Sequence, residues 1–162
     1  MSEPGIRAAV RALLLDPSDR LLLLCGRDPV LPEQGLYWFT VGGGLDPGET
    51  PESALRREIA EEVGIRDVSI GPPVWLVRNR FVFAGRAIDQ DNTFYLVRTG
   101  DTAVDRSAQD EVEQASIVGA RWWTLDELRA TSDQLYPLPL VPHLARLLCK
   151  GPPPAPIRLP DE

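Results

Sequence analysis

Apolar and polar positions along the chain predict a series of strands broken by polar turns, with a few capped helices between them. Ile6 to Leu15 reads as a strand, apolar except for Arg7 and Arg11. Asp16 to Asp19 is a turn. Arg20 to Cys25 is apolar after its first residue and predicts a second strand, buried on both faces, with a hairpin as the economical connection. Gly26 to Gly35 is a loop punctuated by Pro29, Pro32 and Gly35. Leu36 to Val41 is an aromatic strand that feeds a glycine turn at Gly42, Gly43 and Gly44. Thr50 offers an N-cap, Pro51 suits the first helical position and Gly64 suits the left-handed stop, so a helix is expected from Pro51 to Val63.

Downstream, Val68 to Ile70 predicts a short strand and Val74 to Phe83 a longer one. A turn over Ala84 to Asp89 then leads to a strand over Asp91 to Arg98. Gly100 to Gly119 is polar and acidic, the pattern of a mobile loop. Ala120 to Trp123 is a last strand, and Thr124 with Glu127 forms a capping box that opens a helix reaching Ala130. Leu140 to Lys150 is an amphipathic helix. Five prolines in Gly151 to Glu162 predict a disordered or loosely docked tail. One domain over residues 1–150 and a Pro-rich tail over 151–162 is the expected organisation.

The Pro51–Val63 helix is the richest in chemistry. At about 100° per residue, Glu58, Glu61 and Glu62 fall on one side, beside the apolar stripe of Leu55, Ile59 and Val63. The stripe faces a core, so the acids sit at the edge of the buried face. Glu58 and Glu62, one turn apart, repel by about 0.2–0.5 kcal/mol in water and by more where screening is poor. A hard divalent cation with oxygen ligands offsets that repulsion. A solvated helix is the alternative, with Arg57 paired to Glu61 and Glu62 to Arg66.

Composition narrows the partners. The net charge of −7 over 162 residues speaks against polymeric nucleic acid, while a single nucleotide remains compatible if a cation and local arginines meet its phosphates. Cys25 and Cys149 make neither a disulfide framework nor a zinc spacing, and Cys25 reads as a core thiol. His143, the single histidine, reads as a surface or packing residue, which leaves no histidine-based triad. No apolar run of membrane length and no signal peptide are visible, so a cytoplasmic setting without membrane is expected. A homodimer is left open.

Gly43 to Ile65 resembles the Nudix box. Gly43, Glu49, Arg57, Glu58, Ile59, Glu61, Glu62, Gly64 and Ile65 match its positions, a far more specific pattern than a lone glycine motif. Val41 stands where the family usually has proline. The resemblance implies an α/β (α+β) fold, the Nudix-type α/β/α sandwich with a central mixed sheet. It implies Mg2+-dependent hydrolysis, with Mn2+ as substitute, of a pyrophosphate bond in a nucleoside diphosphate linked to another group. Nucleoside triphosphates and ADP-ribose are both in range, since no substrate-indicating signature is clear downstream.

The same resemblance assigns residues. The Gly42 carbonyl, Glu58 and Glu62 are implied metal ligands, with Glu61 a further ligand or the base. Gly43, Glu49, Arg57 and Gly64 are implied structural residues of the box. A carboxylate upstream of the Ala120–Trp123 strand, which serves as base or extra ligand in relatives, matches Glu113 first and Glu111 second. Arg27 is implied in substrate phosphate binding, against a solvated loop arginine. From residue type and strand placement alone, Trp75, Phe81 and Phe83 are candidates for base stacking, against core packing, and Trp38 is expected buried against the box helix. A catalytically silent nucleotide-binding or regulatory module is the alternative function, disfavoured by the intact Glu58, Glu61 and Glu62. Isoprenoid diphosphate isomerisation is a further one, disfavoured by the complete box.

Overall fold

The computed structural model describes residues 5–162, with Val112 described by its backbone alone. Strand β1 (Arg7–Leu15) is central. Val10, Ala12 and Leu14 point to one apolar core, Leu13 and Leu15 to another, and all are at most 2% exposed. That two-sided burial is why its second half reads as a continuous apolar run.

The sheet continues through β2 (Leu21–Gly26), β3 (Tyr37–Gly44), β4 (Val68–Phe83), β5 (Arg86–Thr99) and β6 (Ile117–Trp123). Two-residue strands β7 (Gln134–Leu135) and β8 (Ile157–Arg158) complete it. The order is β6-β2-β3-β1-β5-β4-β8, with β7 beside β3. β1 and β5 are parallel and β1 and β3 antiparallel, so the sheet is mixed.

Helix α1 (Pro51–Val63) covers one face through Ala54, Leu55, Ile59 and Val63. Helices α3 (Leu125–Ala130) and α4 (Leu140–Lys150) cover the other through Leu128, Leu140, Leu144 and Leu147. The result is the expected α/β/α sandwich.

Several local expectations are corrected. The β1–β2 hairpin reduces to one pair, Leu15 with Leu21, because β3 inserts between the two strands. The three glycines are strand, not turn: Gly42, Gly43 and Gly44 pair with Arg11, Val10 and Ala9. The two strands expected over 68–83 are one, with register shifts around Pro73, which has no N–H to give the ladder. The turn expected over Ala84–Asp89 shrinks to Ala84 and Gly85, both at positive φ.

The polar segment after Gly100 carries helix α2 (Glu111–Ser116), opened by an Asp110–Glu113 capping box. The tail is docked. β8 pairs with β4, Leu159 is 2% exposed, and Arg80 N–H donates to Glu162 O at 2.8 Å.

Trp38 lies on the sheet face away from α1, contrary to expectation. It is half-buried, edge-on to Trp123 at 5.0 Å, and its Nε1 donates to Asp133. Strand alternation sends its neighbour Phe39 to the α1 side instead. Trp75 is core, packed on Phe94 and His143, while Phe81 is 41% exposed. Cys25 is buried as expected.

Candidate active site

The site forms where α1 crosses the end of β3. The helix starts where the sequence says it should. Thr50 Oγ1 accepts the Ser53 N–H at 3.1 Å and Pro51 follows. It stops at Gly64, in the left-handed region at φ 71°. A side chain there would also strike Asp105, its Cβ standing 2.9 Å from that residue's Cβ.

The segment after β5 straps this helix end. Asp105 N–H donates to Val63 O at 2.8 Å, and the buried Gln109 donates through Nε2 to Glu62 O at 3.0 Å. Carbonyls that a helix end leaves without intrahelical partners are thereby satisfied.

The three helix acids are graded in burial as the wheel orders them. Glu62, nearest the apolar stripe, is 2% exposed; the Glu58 side chain is 12% exposed and the Glu61 side chain 44%. Gly43 packs directly on Glu58: a Cβ there would stand 2.5 Å from Glu58 Oε1. Gly42 N–H donates to Glu62 Oε1 at 3.1 Å. The glycines thus let β3 approach the carboxylates more closely than any side chain would permit.

Arg57 ties the helix to the loop before it. Its Nε and Nη2 grip Glu49 at 2.8 and 2.9 Å, Nη2 also reaches Gly44 O, and Nη1 reaches Glu58 at 2.9 Å and Glu61 at 3.3 Å. The Arg57 bond, followed by the Asp46 N–H, holds the Glu49 carboxyl down at about 2. Glu49, partnered this way, pushes the Arg57 guanidinium further above its ordinary value.

Burial pushes the Glu62 carboxyl well above the usual range, and Glu58 and Glu113 push the same way. Arg11 and the Gly42 N–H oppose them. Glu113, third residue of α2 and half-buried, is raised to about 7, first by burial and further by the charges of Asp110 and Glu58.

The structure therefore brings Gly42, Gly43, Glu58, Glu62 and Glu113 into one electrostatic neighbourhood, with Glu61 at its rim. Glu111 is exposed on α2, and Arg27 is exposed just past the end of β2. Among the described residues no three His, Cys, Asp or Glu side chains stand converged as a cation cage. Glu58 is turned to Arg57 and Glu62 to the Gly42 amide. In kind the donor set fits a hard cation: every candidate atom is oxygen, and a buried acid faces two acidic neighbours.

Sequence reasoning missed Arg11, Asn92 and Gln109. Arg11 carried a visible signal, a cation inside an otherwise apolar strand. Gln109 and Asn92 carried none.

An α/β/α sandwich with an acid-bearing helix laid against a glycine strand defines the class. The chain belongs to the NUDIX domain family, whose profile matches residues 5–144. It is 40% identical over 81 residues to the nucleoside triphosphatase NudI of Enterobacter sp. (strain 638), covering 46% of this chain and 55% of that protein. It is 34% identical over 101 residues to the RNA pyrophosphohydrolase of Rhodopseudomonas palustris (strain BisB18), covering 56% and 58%. The chain thus spans little more than half the length of these curated relatives. A NUDIX hydrolase structure from Nitrosomonas europaea superposes with a TM-score of 0.55 at 25% identity, over 91% of each chain.

Proposed function

We propose that this chain hydrolyses a phosphoanhydride bond of a nucleoside triphosphate, with Mg2+ or Mn2+ held by Gly42 O, Glu58 and Glu62. The observation that carries the reading is Glu62: a carboxylate 2% exposed, between acidic neighbours, on the backbone of the glycine strand. Burying an acid this way is costly; Arg11 offsets part of that cost, and a cation bound by the acids would offset more. When bound, the cation supplies neutralisation of charge on the phosphate oxygens.

The chain's own residues supply the rest. Glu113, held at about 7, is suited to take a proton from the attacking water near neutral pH. Glu61, exposed and paired to Arg57, serves as the outer ligand. Arg57 fixes Glu58 and Glu49 in place, and Arg27 is free in the described structure to meet a phosphate from solvent. The likeness to NudI favours a nucleoside triphosphate over ADP-ribose.

A panel of nucleoside triphosphates, ADP-ribose and dinucleoside polyphosphates, with products identified by chromatography, tests the reading. Turnover of triphosphates in Mg2+ supports it. No turnover of any member with either metal would overturn it.

A further inference from the structure

We propose that Arg11 is a positioning residue for the Gly42 peptide, acting from the sheet face opposite α1. This rests on the hydrolase reading above for its consequences, and on geometry alone for its mechanism. Arg11 Nη1 donates to Thr40 O at 3.2 Å and to Gly42 O at 3.3 Å. The same Gly42 unit donates its N–H to Glu62 Oε1 at 3.1 Å. Gly42 therefore has its carbonyl held from one side of the sheet and its amide used from the other.

No side chain could stand between them. Gly42 lies at φ 151°, and a Cβ there would meet Val10 O at 2.1 Å and Arg11 Cα at 2.8 Å. The strand is pressed onto β1 at this point, and the guanidinium fills the position under it.

Arg11 is itself fixed. Its Nε donates to Asn92 Oδ1 at 3.2 Å. Asn92 is 2% exposed and saturated: Oδ1 also accepts from Gln90 Nε2 at 3.0 Å, and Nδ2 donates to Val77 O at 3.2 Å and Asn79 Oδ1 at 2.5 Å. Two donor bonds on the amide nitrogen leave the oxygen no direction but toward Arg11 and Gln90. The chain of bonds runs Asn92, Arg11, Gly42, Glu62. A carbonyl has two lone pairs, so the bond from Arg11 leaves the Gly42 oxygen able to accept a second partner.

A lysine keeps the charge at residue 11 but lacks the planar fork that spans Asn92 and two carbonyls at once. Arg11→Lys is thus the discriminating variant. Three readings are taken on wild type, Arg11→Lys and Asn92→Ala: amide-exchange protection of Gly42 by NMR without metal, the Mn2+ dissociation constant, and kcat and KM. Expected in both variants are loss of Gly42 protection, Mn2+ affinity weakened about tenfold or more, and kcat lowered with KM little changed. Asn92→Ala keeps the test open if Arg11→Lys does not fold.

Unchanged Gly42 protection in a folded Arg11→Lys overturns the proposal. So does lost protection with wild-type Mn2+ affinity and kcat, which would make Arg11 merely structural. Absence of Mn2+ binding and turnover in the wild type would instead overturn the hydrolase reading, while Gly42 protection still decides the clamp.

Discussion

Glu62 Oε1 accepts the Gly42 N–H at 3.1 Å, so a carboxylate on the box helix is held by the backbone of the glycine strand. The bond orients the acid without neutralising it. Glu62→Gln keeps an acceptor for Gly42 and removes a buried charge. Its metal-free stability is expected to hold or rise in urea unfolding, while its metal affinity falls. A loss of more than about 1 kcal/mol would show that the charge itself stabilises the fold.

The pH dependence of the metal-free protein has a defined sign. Glu62 and Glu113 both have folded values above their unfolded ones, so the folded state binds more protons between the two. Stability from these groups is present at low pH and declines as pH rises through the folded values, which for Glu113 is about 7. The melting temperature without metal should fall between about pH 5 and 8, and Glu62→Gln should flatten that slope. A rising melting temperature across this range, with no flattening in the variant, would contradict the assignment.

Glu49 behaves oppositely. Its folded value near 2 means that it adds stability above its unfolded value, and that this is lost as pH falls toward 2. Glu49→Gln should lower the melting temperature at pH 7 and have little effect at pH 2. An equal effect at both would point to packing in place of the Arg57 pair.

How much of this was legible depended on whether the signal was local. The helix over Pro51–Val63 is legible because its signals, Thr50, Pro51 and Gly64, are local chemistry. The order of strands was not, because β3 lies between β2 and β1 through long-range pairing that adjacency in sequence hides. Gly42 to Gly44 looked like a turn, yet they form strand because β1 supplies partners residue by residue. The tail looked loose because prolines dominate it, whereas Ile157 to Leu159 need only one strand edge and one apolar gap.

That docking is measurable. Leu159 is 2% exposed in the core beneath α4, so Leu159→Ala should cost about 2–5 kcal/mol in urea unfolding. A cost near zero would restore the loose tail.

Glu113 is the acid whose removal should separate rate from binding. Glu113→Gln is expected to lower kcat by about 10²–10⁴-fold while leaving most Mn2+ affinity intact. The wild-type rate should rise with pH as Glu113 loses its proton, below its metal-free value of about 7 because a cation at Glu58 favours the ionised form, and the variant should lack that inflection. An inflection that survives in the variant would assign the base elsewhere, with Glu61 next to test.

Calorimetric titration of Mn2+ into the wild type and Glu62→Gln at one pH above neutrality tests the central claim most directly. The account predicts saturable binding by the wild type and affinity weakened about tenfold or more in Glu62→Gln, since a direct ligand is lost. Equal affinity in the two proteins, or no binding by the wild type, would contradict a cation site at Gly42 and Glu62.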